Sequence, residues 1–145
     1  MRKFVSSAVA LALIVASSAA AAQSARPYKE GQVTEITYVR TKNGHFEDYM
    51  KFLDGSYKAL MEAQKKAGLV VEYHVYGTTP RKADEPDLLL TVTYANMAAL
   101  DRIEEAIAVA EKVAGSIDKQ EKEAQGREPI RDVLGSELVR ELVLK

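Results

Sequence analysis

Twice along this chain, a stretch with apolar residues at every second position gives way to one with apolar residues at every third or fourth. That change of period dictates the order of the elements. Val33 to Thr41 is rich in β-branched and aromatic residues and reads as strand 1. Thr41-Lys42-Asn43-Gly44 is a turn. From Phe46 onward Tyr49, Met50, Leu53, Tyr57, Leu60 and Gln64 fall at helical spacing, and the stripe ends at Ala67-Gly68, where glycine can take a left-handed cap. Asp54-Gly55-Ser56 interrupts it; an interior glycine costs about 1 kcal/mol relative to alanine, so a kink or a break into two helices is expected there.

Leu69–Tyr76 and Asp87–Tyr94 read as strands 2 and 3, joined by an exposed loop with two prolines and a charge cluster. Asn96 suits an N-cap. Leu100, Ile103, Ile107, Ala110 and Val113 stripe a second helix closed by Gly115, with residues 116–126 as a polar helical extension. A connector with room for a short helix follows at 128–135. Glu137–Leu144 is assigned as strand 4, after the Gly135-Ser136 break. The order strand, helix, strand, strand, helix, strand predicts an α+β, ferredoxin-like βαββαβ fold with an antiparallel sheet. Both helices then lie on one face. Val33, Val39, Val70 and Leu89 are assigned to the other, which a second copy would cover.

The first residues tell of destination. Met1-Arg2-Lys3 is a short basic start, Phe4–Ala16 is apolar and uncharged, and Ala19-Ala20-Ala21-Ala22 supplies small residues for cleavage. This is the layout of a secretory signal peptide, and the apolar run falls short of the roughly 20 residues that span a bilayer. Residues 1–22 are therefore expected to be removed, 23–32 to form a flexible leader, and 33–145 to be one domain, periplasmic or secreted and not inserted in a membrane. Without a cysteine the chain has no lipoprotein anchor, disulfide or thiolate site. Loss of Arg2 and Lys3 leaves 18 basic against 21 acidic residues, a balance that exerts no general pull on nucleic acid. Two histidines, His45 and His74, are too few for a multi-histidine metal centre within one chain, and no cofactor motif is present.

The segment Glu35-Ile36-Thr37-Tyr38-Val39-Arg40-Thr41-Lys42-Asn43-Gly44-His45-Phe46-Glu47-Asp48-Tyr49 joins a strand, a tight turn and a helix opening on an aromatic residue. In this, and in element order over roughly 33–144, the chain resembles the dimeric α/β-barrel superfamily, which includes the NIPSNAP proteins and the antibiotic-biosynthesis monooxygenases. The resemblance implies a homodimer whose two sheets close a barrel around a cavity. It implies no single activity, because that scaffold hosts oxygenases, haem-handling enzymes, isomerases and proteins without known chemistry. Cofactor-free and haem-degrading members often use a Trp, Asn and His set; here there is no Trp, and the strands carry no Asn.

Alternation along the strands selects the candidate site residues. Ile36 and Tyr38 are grouped with the helix-facing apolar set, which leaves Glu35 and Thr37 with Glu72, His74, Tyr76, Thr91 and Thr93 on the other face. His74 beside Glu72 is the sharpest pair, since a carboxylate near an imidazole suits acid–base work. The expected ligand-binding set is His74, Glu72, Glu35, Thr91 and Thr93, and its ligand a small, partly apolar compound. The blander reading is a polar dimer interface. Of Arg140 and Glu141, adjacent on strand 4, one alone can face a cavity. His45 reads as surface, Tyr49 and Tyr57 as core, and Asp118–Glu123 as a solvated helix face. Ser56 lacks the pattern of a nucleophile elbow. Two classes of function stay open: a non-catalytic binding or accessory module of the cell envelope, and a small-molecule enzyme of isomerase or monooxygenase type using the barrel cavity.

Overall fold

A computed structural model describes residues 26–145. The expected signal peptide and the first residues of the leader lie outside the described residues. The described residues divide into two units, 26–29 with 142–145, and 30–141. In the first, the Lys145 N–H donates to the Pro27 carbonyl at 3.0 Å. The second carries the core and the candidate sites.

The elements run β1 (Tyr28–Thr41), α1 (Phe46–Phe52), α2 (Lys58–Lys66), β2 (Glu72–Gly77), β3 (Leu88–Tyr94), α3 (Ile103–Ala114), α4 (Ile117–Gly126) and β4 (Arg131–Leu144). The strands form one antiparallel sheet in the order β2-β3-β1-β4. This is the expected ferredoxin-like βαββαβ arrangement, with its two central strands buried on one side by helices.

β2 begins at Glu72 rather than Leu69, the three residues before it being irregular, and two further boundaries differ from the sequence expectation. β1 begins at Tyr28 rather than Val33, so part of the expected leader is strand. β4 begins at Arg131, absorbing much of the connector, and no short helix forms there. Pairing with β1 accounts for the second. The Lys42 N–H donates to the Ile130 carbonyl at 2.9 Å, and Arg40 reaches Asp132 at 2.8 Å. A partner strand supplies these bonds, and local propensity does not register them.

The expected kink at Asp54-Gly55-Ser56 takes a specific form. Leu53–Tyr57 is a π-helical turn between α1 and α2, so the helix widens without breaking. Such single turns hold one residue more than α-helical winding needs. Asn96 caps as expected, its Oδ1 accepting the Ala99 N–H at 3.1 Å, but what it opens is a 3₁₀ turn, Met97–Asp101, ahead of α3. Gly115, at φ +88°, closes α3. The following segment is a separate helix rather than an extension, because Ser116 accepts the Lys119 N–H and restarts the winding as α4.

Val39, Leu88 and Leu90 of the sheet pack against Tyr49 and Leu53 of the first helical segment, with Phe52, Tyr57 and Val75 around them. Burying a Val or Leu side chain contributes about 1.5–3 kcal/mol, and Val33, Val39 and Leu88 are buried almost completely. Their location corrects the face assigned to strand 1. β1 pairs β3 with Val33 opposite Tyr94, Glu35 opposite Val92, Thr37 opposite Leu90 and Val39 opposite Leu88. Opposed residues share a face, so Val33, Glu35, Thr37 and Val39 lie under the helices. Ile36 and Tyr38 lie on the open face. A one-residue change of phase moves every side chain of a strand to the other side. Val70 is buried as well. Of the four residues on which the apolar open face was argued, Val33 and Val39 lie under the helices, Val70 is buried ahead of β2, and Leu89 stands on the open face with Ile36, Tyr38 and Tyr76.

Candidate functional site

The open face is a lattice of three rows across β2, β3 and β1. Glu72 lies opposite Thr93, which lies opposite Thr34. His74, Thr91 and Ile36 form the next row, and Tyr76, Leu89 and Tyr38 the third. Four of the five expected site residues, His74, Glu72, Thr91 and Thr93, therefore share one patch. The fifth, Glu35, does not: the register places it under the helices.

Within the patch the polar groups lie close to one another. Thr34 Oγ1 and Thr93 Oγ1 are 2.9 Å apart. His74 Nε2 stands 3.6 Å from Glu72 Oε2, with both side chains half exposed. The His74 ring lies against Tyr76, centroids 5.7 Å apart. Tyr38 donates to Glu137 of β4 in a short hydrogen bond that holds its hydroxyl above the usual phenol range. Thr91 and Thr93 are buried, whereas His74 and Glu72 are not. Neither His74 nor Glu72 lines the crevices on the helix-covered side. On this chain the His74 patch is a sheet surface.

The crevices that matter for a ligand lie on the helix-covered side. One of about 440 Å³ runs between α2, α3 and the end of β3. Leu60, Leu69, Leu100, Ile103 and Ile107 make its walls apolar, and Tyr94, Gln64 and Arg102 set polar groups on its rim. Arg102 is already bound, to the Gly68 carbonyl at 2.9 Å and to Glu105 at 2.7 Å. Burial and the adjoining Glu35 carboxylate raise the pKa of Tyr94. A second crevice of about 220 Å³ adjoins the first through Leu60 and Gln120, and reaches Phe52, Tyr57 and Arg127. Burial, reinforced by the Tyr49, Tyr73, Tyr94 and Glu35 charges, pushes Tyr57 up to about 12. Its hydroxyl therefore stays a proton donor throughout the physiological range.

The sequence reading missed this side because Tyr57 and Leu60 fall on a regular apolar stripe, which is ordinary core patterning. The available signal was Gly55, whose π-helical turn ends at Tyr57. His45 behaves as read: it is partly exposed, and its Nδ1 stands 3.1 Å from Asp48 Oδ2. Arg140 pairs with Glu30 at 2.7 Å, while Glu141 lies against Gly31. Among the described residues no group of three His, Asp or Glu side chains gathers as a metal site would require.

Comparison with known proteins bears on the fold. No protein-family model matches the sequence, and no curated protein matches it as a relative. Among solved structures, HapK from Hahella chejuensis superposes with a TM-score of 0.51 at 14% identity, over 76% of this chain and 92% of that one. A protein from Shewanella oneidensis gives 0.51 at 15%, over 80% and 98%. A dimeric ferredoxin-like protein from an uncultured marine organism gives 0.50 at 13%, over 81% and 90%. The fold is ferredoxin-like. The resemblance carried by Glu35–Tyr49 thus holds at the level of architecture.

Proposed function

We propose that this chain is exported, forms a homodimer through its open sheet face, and serves the cell envelope as a binding module for a small, partly apolar compound. The observation that carries the ligand part is the crevice of about 440 Å³ with apolar walls and few polar groups. Ligand sites commonly have that size and composition. No nucleophile, metal cluster or cofactor motif among the described residues adds chemistry to it, which favours binding over turnover. Support for the dimer is the open face itself. Ile36, Tyr38, Tyr76 and Leu89 form apolar ground around the polar rows, and the dimeric marine protein shares the architecture. Support for export is the basic, apolar and small-residue sequence of 1–22. Among the described residues no helix is long and apolar enough to cross a membrane.

The neutral fluorophore N-phenyl-1-naphthylamine tests the binding site. Saturable binding to the parent chain, abolished by Ala106→Phe, which fills the crevice, is the expected result. Equal fluorescence from both proteins removes the crevice from consideration. Light scattering at micromolar concentration checks the dimer, and a stable monomer overturns it. Mass spectrometry of the protein from its native host checks export, with a mature start near Gln23 expected. An intact Met1 on membrane-bound material overturns that part.

A further inference from the structure

The smaller crevice contains two buried polar atoms that the protein leaves unpaired. Tyr57 Oη and Arg127 Nε both lie below the surface without a hydrogen-bond partner, and both residues line the same space of about 220 Å³. Buried polar groups are paired in the great majority of cases, so two orphans in one crevice demand an explanation. Each carries a hydrogen to donate; what they lack is an acceptor.

The surroundings specify the acceptor's charge. The Arg127 guanidinium lies over the Phe52 ring, 3.9 Å from its centroid, an arrangement that fixes it in place. Arg131 is its neighbour, and burial together with that second positive charge holds Arg127 below the usual guanidinium range. Glu123 also lines the crevice, but its carboxylate turns to Lys119 at 3.8 Å. Arg131 donates from Nη2 to the Ala124 carbonyl at 3.3 Å, while its own Nε is buried without a partner. The nearby Glu123 carboxylate offsets part of this positive charge without bonding the Arg127 Nε. At the other end Leu60 and Gln120 line both this crevice and the larger apolar one, so a molecule anchored at Arg127 has apolar wall to follow.

We infer that the two crevices together form a site for an apolar carboxylic acid, its carboxylate accepting from Arg127 Nε and Tyr57 Oη and its body lying along Leu60 toward α3. Arginine suits a carboxylate through its fixed fork of donors. The inference rests on the reading that the larger crevice holds a partly apolar compound, and it narrows the class of that compound.

The test uses 2-naphthoate and its neutral isostere 2-naphthamide on the full chain, with binding followed by calorimetry and by the rise in melting temperature. The expected result is at least tenfold tighter binding of the acid than of the amide. Arg127→Gln should abolish that preference, Arg127→Lys should retain part of it, and Tyr57→Phe should weaken the acid severalfold with little effect on the amide. If Arg127→Gln fails to fold, Arg127→Lys and Tyr57→Phe still decide the matter. Equal affinity for acid and amide, or no saturable binding of the acid, overturns the inference. N-phenyl-1-naphthylamine separates the two levels: if it binds while naphthoate does not, the carboxylate site fails and the binding-module reading stands. If neither binds, both fail.

Discussion

The two faces of the sheet use the same three strands, β2, β3 and β1, for opposite ends. Under the helices, Val33, Val39, Leu88 and Leu90 are packed as core, yet crevices remain between α2, α3 and α4. On the open face His74, Glu72, Thr91, Thr93 and Thr34 stand in ordered rows, and neither His74 nor Glu72 lines those crevices. Polar residues crowded on one face of a sheet therefore do not by themselves make a pocket. A pocket needs walls, and here helices supply them. The polar face has the character of a surface made to be covered, while the apolar side holds the room for a ligand.

Adjacent residues offer the sharpest way to break that contrast. Leu88 is buried under the helices, and Leu89 lies on the open face. Leu88→Ala should cost about 2–5 kcal/mol of stability, the usual range for a buried leucine. Leu89→Ala should cost the monomer less than half as much and should weaken self-association instead. Urea denaturation measures the first effect and concentration-dependent light scattering the second. Equal losses would mean that the two faces are not distinct.

A second effect separates the faces through pH. Tyr57 keeps its proton to about 12 when folded, chiefly because of burial, whereas an unfolded tyrosine loses it near 10. Between those values the folded state binds more protons than the unfolded one, so stability falls as pH rises. The contribution is fully present below pH 10 and lost as pH climbs through 12. Tyr57→Phe should flatten the decline of melting temperature over that window. An undiminished slope in Tyr57→Phe would remove this buried hydroxyl from the account.

Smaller again is the Thr34–Thr93 hydroxyl pair. Thr93→Val strands the Thr34 hydroxyl beside a buried position and should cost about 1 kcal/mol. Adding Thr34→Val should recover part of the loss, and a double-mutant cycle in denaturant reads the coupling. The smallest effect belongs to His74. Its side chain and that of Glu72 are half exposed, so His74→Ala should change stability by no more than about 0.5 kcal/mol and leave N-phenyl-1-naphthylamine binding intact. A loss of that binding would return His74 to the ligand site.

Element order was legible in the sequence because each period runs long enough to declare itself. Phe46 to Gln64 reads as helix, and Leu88 to Tyr94 as strand, without outside help. The face of β1 was not legible. Val33, Glu35, Thr37 and Val39 carry as mixed a set as Thr34, Ile36, Tyr38 and Arg40. Where both sides of a strand are half apolar, hydrophobicity does not choose between them, and register against the neighbour does. The same slip explains Glu35, which joined His74 in the sequence reading and stands beside Tyr94 in the structure. The His74 patch itself was legible, because β2 and β3 alternate cleanly. Tyr57 and Arg127 were not: their significance lies in what surrounds them, and they are 70 residues apart in sequence.

The widened turn at Leu53–Tyr57 bears on how such a chain tolerates insertions and deletions. A π-helical turn is one residue too many, held in a helix that runs regularly before and after it. Removing Gly55 would let ordinary winding continue from Phe52 into Lys58. Each residue of α-helix turns through about 100°, so everything up to Phe52 would be out of phase by that angle with everything beyond it. Tyr49 would no longer face the core while Leu60 faced the crevice. The surplus residue acts as a phase shifter, setting the half of the helix that builds the core independently of the half that borders the crevice. A single-codon deletion there would misalign a helix that it also makes more regular, which ordinary helix propensity would score as an improvement.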